Sequence, residues 1–153
     1  MIRIELDDQD VKRALAGLEH AVGDIRPALK NIGEAMLFSI DQRFADQEAP
    51  DGTAWEGNAP ATIARKGFDD PLVGAERNLT LRTQNIYQLE GDALLVGNTM
   101  EYAAMQQFGG DQQDFPHLWG DIPAREFIGI SDEDEEEIVE IITDHIAMGA
   151  GTR

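Results

Sequence analysis

Hydrophobic and polar positions alternate at the start of the chain. Ile2, Ile4 and Leu6 are separated by Arg3 and Glu5, the two-residue period of a half-buried strand. The period then changes. Val11, Leu15, Leu18 and Val22 recur at steps of four and three, one stripe of a helix entered through Asp7, Asp8 or Asp10 and ending near Gly23. Pro27 suits a first helical turn, and Leu29, Ile32, Met36, Ile40 and Phe44 make a second, longer stripe.

From Ala45 to about Thr80 the periodicity fails. Pro50-Asp51-Gly52 predicts a turn, because proline presets one backbone angle and glycine tolerates the left-handed region. Residues 60–67 predict a short helix closed by Gly67, and residues 68–78 a loop. Two apolar runs, 86–90 and 93–97, flank Gly91-Asp92 and predict a β-hairpin. Residues 101–108 predict a short helix stopped by Gly109-Gly110, and residues 111–120 a second polar loop. Residues 122–130 begin at Pro123 with an edge or irregular stretch, and their remainder predicts a strand. Ser131 caps a last helix whose inward stripe is Ile138, Ile141 and Ile142, extended by His145 or Ile146.

These elements describe an α+β domain. A small curved antiparallel sheet, the hairpin near 86–97 plus further strands, packs with two long N-terminal helices and a C-terminal helix. One domain is expected over residues 1–147, followed by a flexible tail at 148–153. There is no internal repeat.

Charge changes the picture more than composition does. Hydrophobic residues are 42% and charged residues 27%, ordinary values for a globular protein. Thirty acidic residues against twelve basic ones give a formal net charge of −18. Residues 1–82 hold 15 acids and 10 bases (net −5), and residues 83–153 hold 15 acids and 2 bases (net −13). Such a surface repels phosphate, which disfavours DNA binding through a basic patch. An acidic wall along which DNA slides without sticking remains compatible. With no cysteine there is neither a disulfide nor a thiolate metal site. No apolar run approaches the roughly 20 residues of a membrane span, and the N-terminus lacks a signal-peptide core. A soluble protein is expected.

Catalytic constellations are absent from the pattern. His20, His117 and His145 are far apart and none has metal-ligand spacing. Ser39 and Ser131 have no histidine at a motif distance, and no glycine-rich phosphate cradle is present. The run Asp132, Glu133, Asp134, Glu135, Glu136 and Glu137 admits a divalent-cation site, and with it a metal-dependent hydrolase or nuclease. It lacks the alternation and central glycine of a calcium loop, so an acidic, solvated first helical turn is the preferred reading. Asn78-Leu79-Thr80 fits the glycosylation pattern but has no secretory signal beside it. No cofactor, no metal and no enzymatic activity are expected. The aromatics Trp55, Phe68, Phe115, Trp119 and Phe127 sit in or beside loops; they either pin those loops to the domain or anchor a neighbouring subunit.

A further pattern is spread along the chain. Phe44 is followed by Pro50-Asp51-Gly52-Thr53-Ala54-Trp55 and then by the segment from Thr62 to Lys66. Next come Leu79-Thr80-Leu81-Arg82-Thr83, Val96-Gly97-Asn98-Thr99 and Tyr102-Ala103-Ala104-Met105-Gln106-Gln107-Phe108-Gly109. The last element is Ile122-Pro123-Ala124-Arg125-Glu126-Phe127-Ile128-Gly129-Ile130-Ser131, before an acidic helix start. In order and spacing this resembles the phage virion morphogenesis (tail completion) family of Mu-like and related tailed phages, over roughly residues 25–147. Glu126 stands where the family pattern has proline, and Arg82-Thr83-Gln84 lacks its glycine.

The resemblance implies a structural protein that completes the tail or joins it to the head at the neck, as a homo-oligomeric ring around the DNA channel. Expected partners are further copies of itself and the phage tail terminator, tail tube or connector, with DNA only in non-specific passage and no membrane. Its place would be the virion, and the host cytoplasm during assembly. The alternative is a transient cytoplasmic assembly chaperone or adaptor absent from the mature particle. The expected subunit or partner interface is Trp55, Phe68, Phe108, Phe115, Trp119, Pro123, Arg125 and Phe127. Arg125, one of two bases after residue 82, is expected to pair within the fold or with a neighbour's carboxylate. The acidic run from Asp132 to Glu137 is expected to face the channel or solvent.

Overall fold

A computed structural model describes residues 2–3, 9, 12–13, 16–17, 23–118 and 120–150, with backbone alone at 2, 3 and 150. In chain order the named elements are β1 (Ile2–Arg3), α1 (Arg26–Asp46), α2 (Pro60–Lys66), a 3-10 turn (Ala75–Arg77), α3 (Thr80–Thr83), β2 (Asn85–Glu90), β3 (Ala93–Asn98), α4 (Ala103–Phe108) and α5 (Asp132–Ala150). The α+β class is as the sequence indicated. The stripe residues of the first expected helix, Val11, Leu15, Leu18 and Val22, lie outside the described residues, as do Ile4, Leu6 and Trp119.

The sheet is antiparallel with order β1-β3-β2. The hairpin register runs from Asn85 opposite Asn98 to Glu90 opposite Ala93, so Gly91 and Asp92 alone make the turn. Against this sheet lies α1, whose stripe Leu29, Ile32, Met36, Ile40 and Phe44 is buried throughout. Close approach is possible because Gly33 has no side chain: a Cβ there would sit 2.6 Å from the ring of Tyr87 on β2. The Tyr87 hydroxyl then donates to Glu34 at 2.8 Å.

Two core clusters share α1. Its N-terminal half, with the preceding Ile25, packs Leu29, Ile32 and Met36 against Ile138 and Ile142 of α5. Its C-terminal half packs Ile40 and Phe44 against Trp55, Leu81, Ala103, Phe127 and Ile128. Phe44 is the hub of the second cluster, with Trp55 edge-on at 5.3 Å and Phe127 tilted at 5.3 Å between ring centroids. Edge-to-face rings contribute about 0.5–1.5 kcal/mol beyond their buried area.

The expected strand in the second half of 122–130 is absent; among the described residues the β contact of this segment is an isolated bridge at its first residue, between Gly110 and Ile122. Helix α5 also continues past residue 147, through Ala150.

Candidate assembly surface

The segment that does not become a strand is held by side chains instead. Four successive carbonyls accept hydrogen bonds from distant residues. Trp55 Nε1 donates to Glu126 at 2.8 Å, Arg43 Nη1 to Phe127 at 3.0 Å and to Gly129 at 2.9 Å, and Gln107 Nε2 to Ile128 at 2.8 Å. The Gln107 carbonyl oxygen in turn accepts from the backbone N–H groups of Phe127 and Ile128, at 2.9 and 3.1 Å. Buried backbone polar groups must be paired, and here polar side chains do what a neighbouring strand does elsewhere. Gly129 completes the fit, since a Cβ on it would lie 2.6 Å from Pro50 of the Pro50-Asp51-Gly52 turn.

Arg43 and Asp134 are the charged centre of this arrangement. Both are buried, at 5% exposure each, and the guanidinium pairs with the carboxylate. Burial pulls the Arg43 pKa below its ordinary value, and the charge and hydrogen bond of Asp134 oppose that pull. The same carboxylate accepts from the Ser131 N–H at 2.9 Å, while the Ser131 hydroxyl accepts from the Asp134 N–H at 3.0 Å. This is a capping box with aspartate in the usual glutamate position. Asp134 therefore leaves the acidic face assigned to it from sequence. Asp132, Glu133, Glu136 and Glu137 are exposed, and Glu135 is half-buried.

Above this floor opens a cleft of about 840 Å³. Its walls are α1 from Phe38 to Asp46, the turn at Pro50, the end of α4 at Phe108 and the start of α5. Phe38 and Phe108 are 67% and 62% exposed, large apolar side chains left in water. Seven carboxylates line the cleft: Asp46, Glu48, Asp51, Glu126, Asp132, Glu133 and Glu137, besides the paired Asp134. Among the described residues Arg43 is the one base lining it, and Asp134 neutralises that.

The residues expected at an interface divide. Trp55 and Phe127 are buried at 8% and 0% exposure, so they pin their segments to the core. Arg125, 6% exposed, meets no carboxylate at hydrogen-bond distance among the described residues; its Nε donates to the Glu56 carbonyl at 2.7 Å and its Nη2 to the Gly57 carbonyl at 2.8 Å. Burial lowers its pKa, with Glu56 and Asp69 acting in opposition. Phe68 is half-buried between the Lys66 ammonium and the Arg77 guanidinium, 4.8 and 4.4 Å from its ring centre. Pro123 is half-buried. Phe108 and Phe115 reach the surface, and only Phe108 lines the cleft.

Phe38 was not singled out in the sequence. Its signal is its place: two residues from both Met36 and Ile40, it falls off the inward stripe of α1 and onto the polar side. Among the described residues no group of three His, Asp or Glu side chains converges as a metal site. No described helix is long and apolar enough to cross a membrane.

The sequence profile of the phage virion morphogenesis family matches residues 6–147. The chain belongs to that family. Membership extends the resemblance seen in the motifs toward the N-terminus and ties the fold to the building of phage particles. Among individual family relatives, the "Mu-like prophage FluMu G protein 2" of Haemophilus influenzae is 30% identical over 149 residues, covering 97% of this chain and 98% of the relative. The "Putative capsid assembly protein G" of Escherichia phage Mu is 27% identical over 149 residues, covering 95% of this chain and 94% of the relative. No solved structure matches.

Proposed function

We propose that this member of the virion morphogenesis family completes the tail of a tailed phage, or joins tail to head at the neck, as a homo-oligomeric ring around the DNA channel. The role is structural, without catalysis. The observation that carries the assembly role is the cleft: a side-chain-bonded floor under two exposed phenylalanines. Such a surface is costly in an isolated monomer and is the usual form of an interface anchor. A closed ring needs two different surfaces on each copy. Phe68 and Phe115 do not line the cleft, so their loops are candidates for a contact between copies that leaves the cleft open to another partner.

Of the exposed acids of α5, Asp132, Glu133 and Glu137 line the cleft, and Glu136 lies outside it. Glu136 suits a wall beside passing DNA, where it repels phosphate and keeps the duplex mobile. Native mass spectrometry of the purified chain tests the ring, and electron microscopy of particles made without the chain tests the role. A monomer at all concentrations, together with normal tails in its absence, would overturn the proposal.

A second reading is a transient assembly factor that leaves before the particle matures, working with tail terminator, tube or connector proteins. The name of the phage Mu relative, a putative capsid assembly protein, favours keeping it. Proteomics of purified virions separates the two: presence of the chain supports the ring, absence the transient factor.

A further inference from the structure

We infer that the cleft between α1, the Pro50 turn and the start of α5 receives a basic segment of a different protein, one that carries large apolar side chains. This rests on the assembly role proposed above and names the chemistry of the partner.

The occupant follows from three features. Phe38 and Phe108 stand exposed on opposite elements, which calls for apolar side chains between or against them. Around them the exposed rim is carboxylate, with no unneutralised base among the described lining residues, which calls for lysine or arginine on the same segment. Finally, the floor cannot extend a β-ladder. The Phe127 and Ile128 N–H groups are committed to Gln107 and all four carbonyls of 126–129 already accept from Trp55, Arg43 and Gln107, so the occupant docks through side chains and not by strand addition.

A second copy of this chain is the poorer occupant. Its own charge is −18, and two such surfaces repel. Several of its bases are also withdrawn: Arg77 pairs with Asp70, Arg82 pairs with Asp41 and Arg125 is buried. Nucleic acid is excluded from an acidic cleft on the same electrostatic ground.

Photocrosslinking in cells assembling the phage tests this directly. The full chain carries p-benzoylphenylalanine in place of Phe38 or of Phe108, and the crosslinked peptide is mapped by mass spectrometry. The expected product is a different polypeptide, joined through a segment of net positive charge containing large apolar residues. Its yield should fall about tenfold when Glu133→Lys and Glu137→Lys are introduced together, since both side chains are exposed and make no hydrogen bond or ion pair among the described residues. A crosslink to a second copy would overturn the inference, as would a crosslink to an acidic or neutral segment, or none from either position while particles assemble. A crosslink to a basic segment combined with normal tails in the chain's absence would sink the neck reading and leave this one standing.

Discussion

Asp134→Ala removes one partner of the buried ion pair and half of a helix cap in a single step. The guanidinium of Arg43 would remain in the interior, tethered to the carbonyls of Phe127 and Gly129 and to the Ser39 hydroxyl, with no counter-charge. Breaking a buried pair from one side costs about 3–5 kcal/mol. Loss of the bond to the Ser131 N–H adds about 1 kcal/mol, the usual worth of a cap. Against a total stability of about 5–15 kcal/mol for a domain of this size, the change takes away a large part of the margin. Asp134→Asn keeps an oxygen for Ser131 and for the guanidinium, so it should cost less, about 2–3 kcal/mol, as the loss of a charged partner in a hydrogen bond. Urea unfolding followed by circular dichroism measures both. A double-mutant cycle with Arg43→Met should give a coupling of at least about 1.5 kcal/mol. Midpoints for Asp134→Ala and Asp134→Asn within about 0.5 kcal/mol of the parent would refute the reasoning, because that is what an exposed acid on a solvated helix turn gives.

Other consequences follow from the same packing. Gly33→Ala gains about 1 kcal/mol of helix propensity but drives a methyl into the Tyr87 ring, an overpacking cost of about 1–3 kcal/mol, so net destabilisation in thermal melts is expected and a rise in Tm would contradict the contact. Gln107→Met is close in size yet leaves the Phe127 and Ile128 N–H groups and the Ile128 carbonyl without partners; a loss of about 3 kcal/mol or more is expected in the same unfolding assay, and an unchanged midpoint would mean the segment is held otherwise. The Arg82 guanidinium holds the Asp41 carboxyl below its ordinary range, so this pair stabilises the fold above the unfolded pKa near 3.8 and its contribution fades as pH falls through the lower folded value. Since Asp41 is half exposed the effect is small, at most about 1 kcal/mol; Arg82→Ala should lower stability at pH 7 and lose its effect at strongly acidic pH, and a penalty that grows on acidification would reverse the sign.

Much of this arrangement was legible in the chain itself where a single period governs. The five stripe residues of α1, the two-residue hairpin turn and the Ser131 cap all stand where local pattern put them. The segment 122–130 read as a strand because it is apolar and extended. Nothing local reveals that its bonding partners are side chains of Arg43, Trp55 and Gln107, as many as 86 residues away in sequence. The aromatic loops left two readings open, and burial decides for Trp55 and Phe127 in favour of pinning. Asp134 was hidden among six consecutive acids, yet it lies four residues before Ile138 and so on the inward stripe of α5. Arg43 stands likewise between Ile40 and Phe44 on the inward stripe of α1. Opposite charges on two inward stripes are a readable sign of a buried pair. The cleft had no such sign, because it is assembled from four separate elements.

The central claim is that Phe38 and Phe108 serve assembly and not folding. Phe38→Ser and Phe108→Ser, combined in one chain, should leave the urea midpoint within about 0.5 kcal/mol of the parent, as expected of exposed positions. The decisive measurement is complementation: particles assembled with that chain as the sole copy, counted by electron microscopy for complete tails joined to heads. The account predicts a stable protein and a collapse in complete particles. Particles of normal number and shape, built with the serine chain, would contradict it.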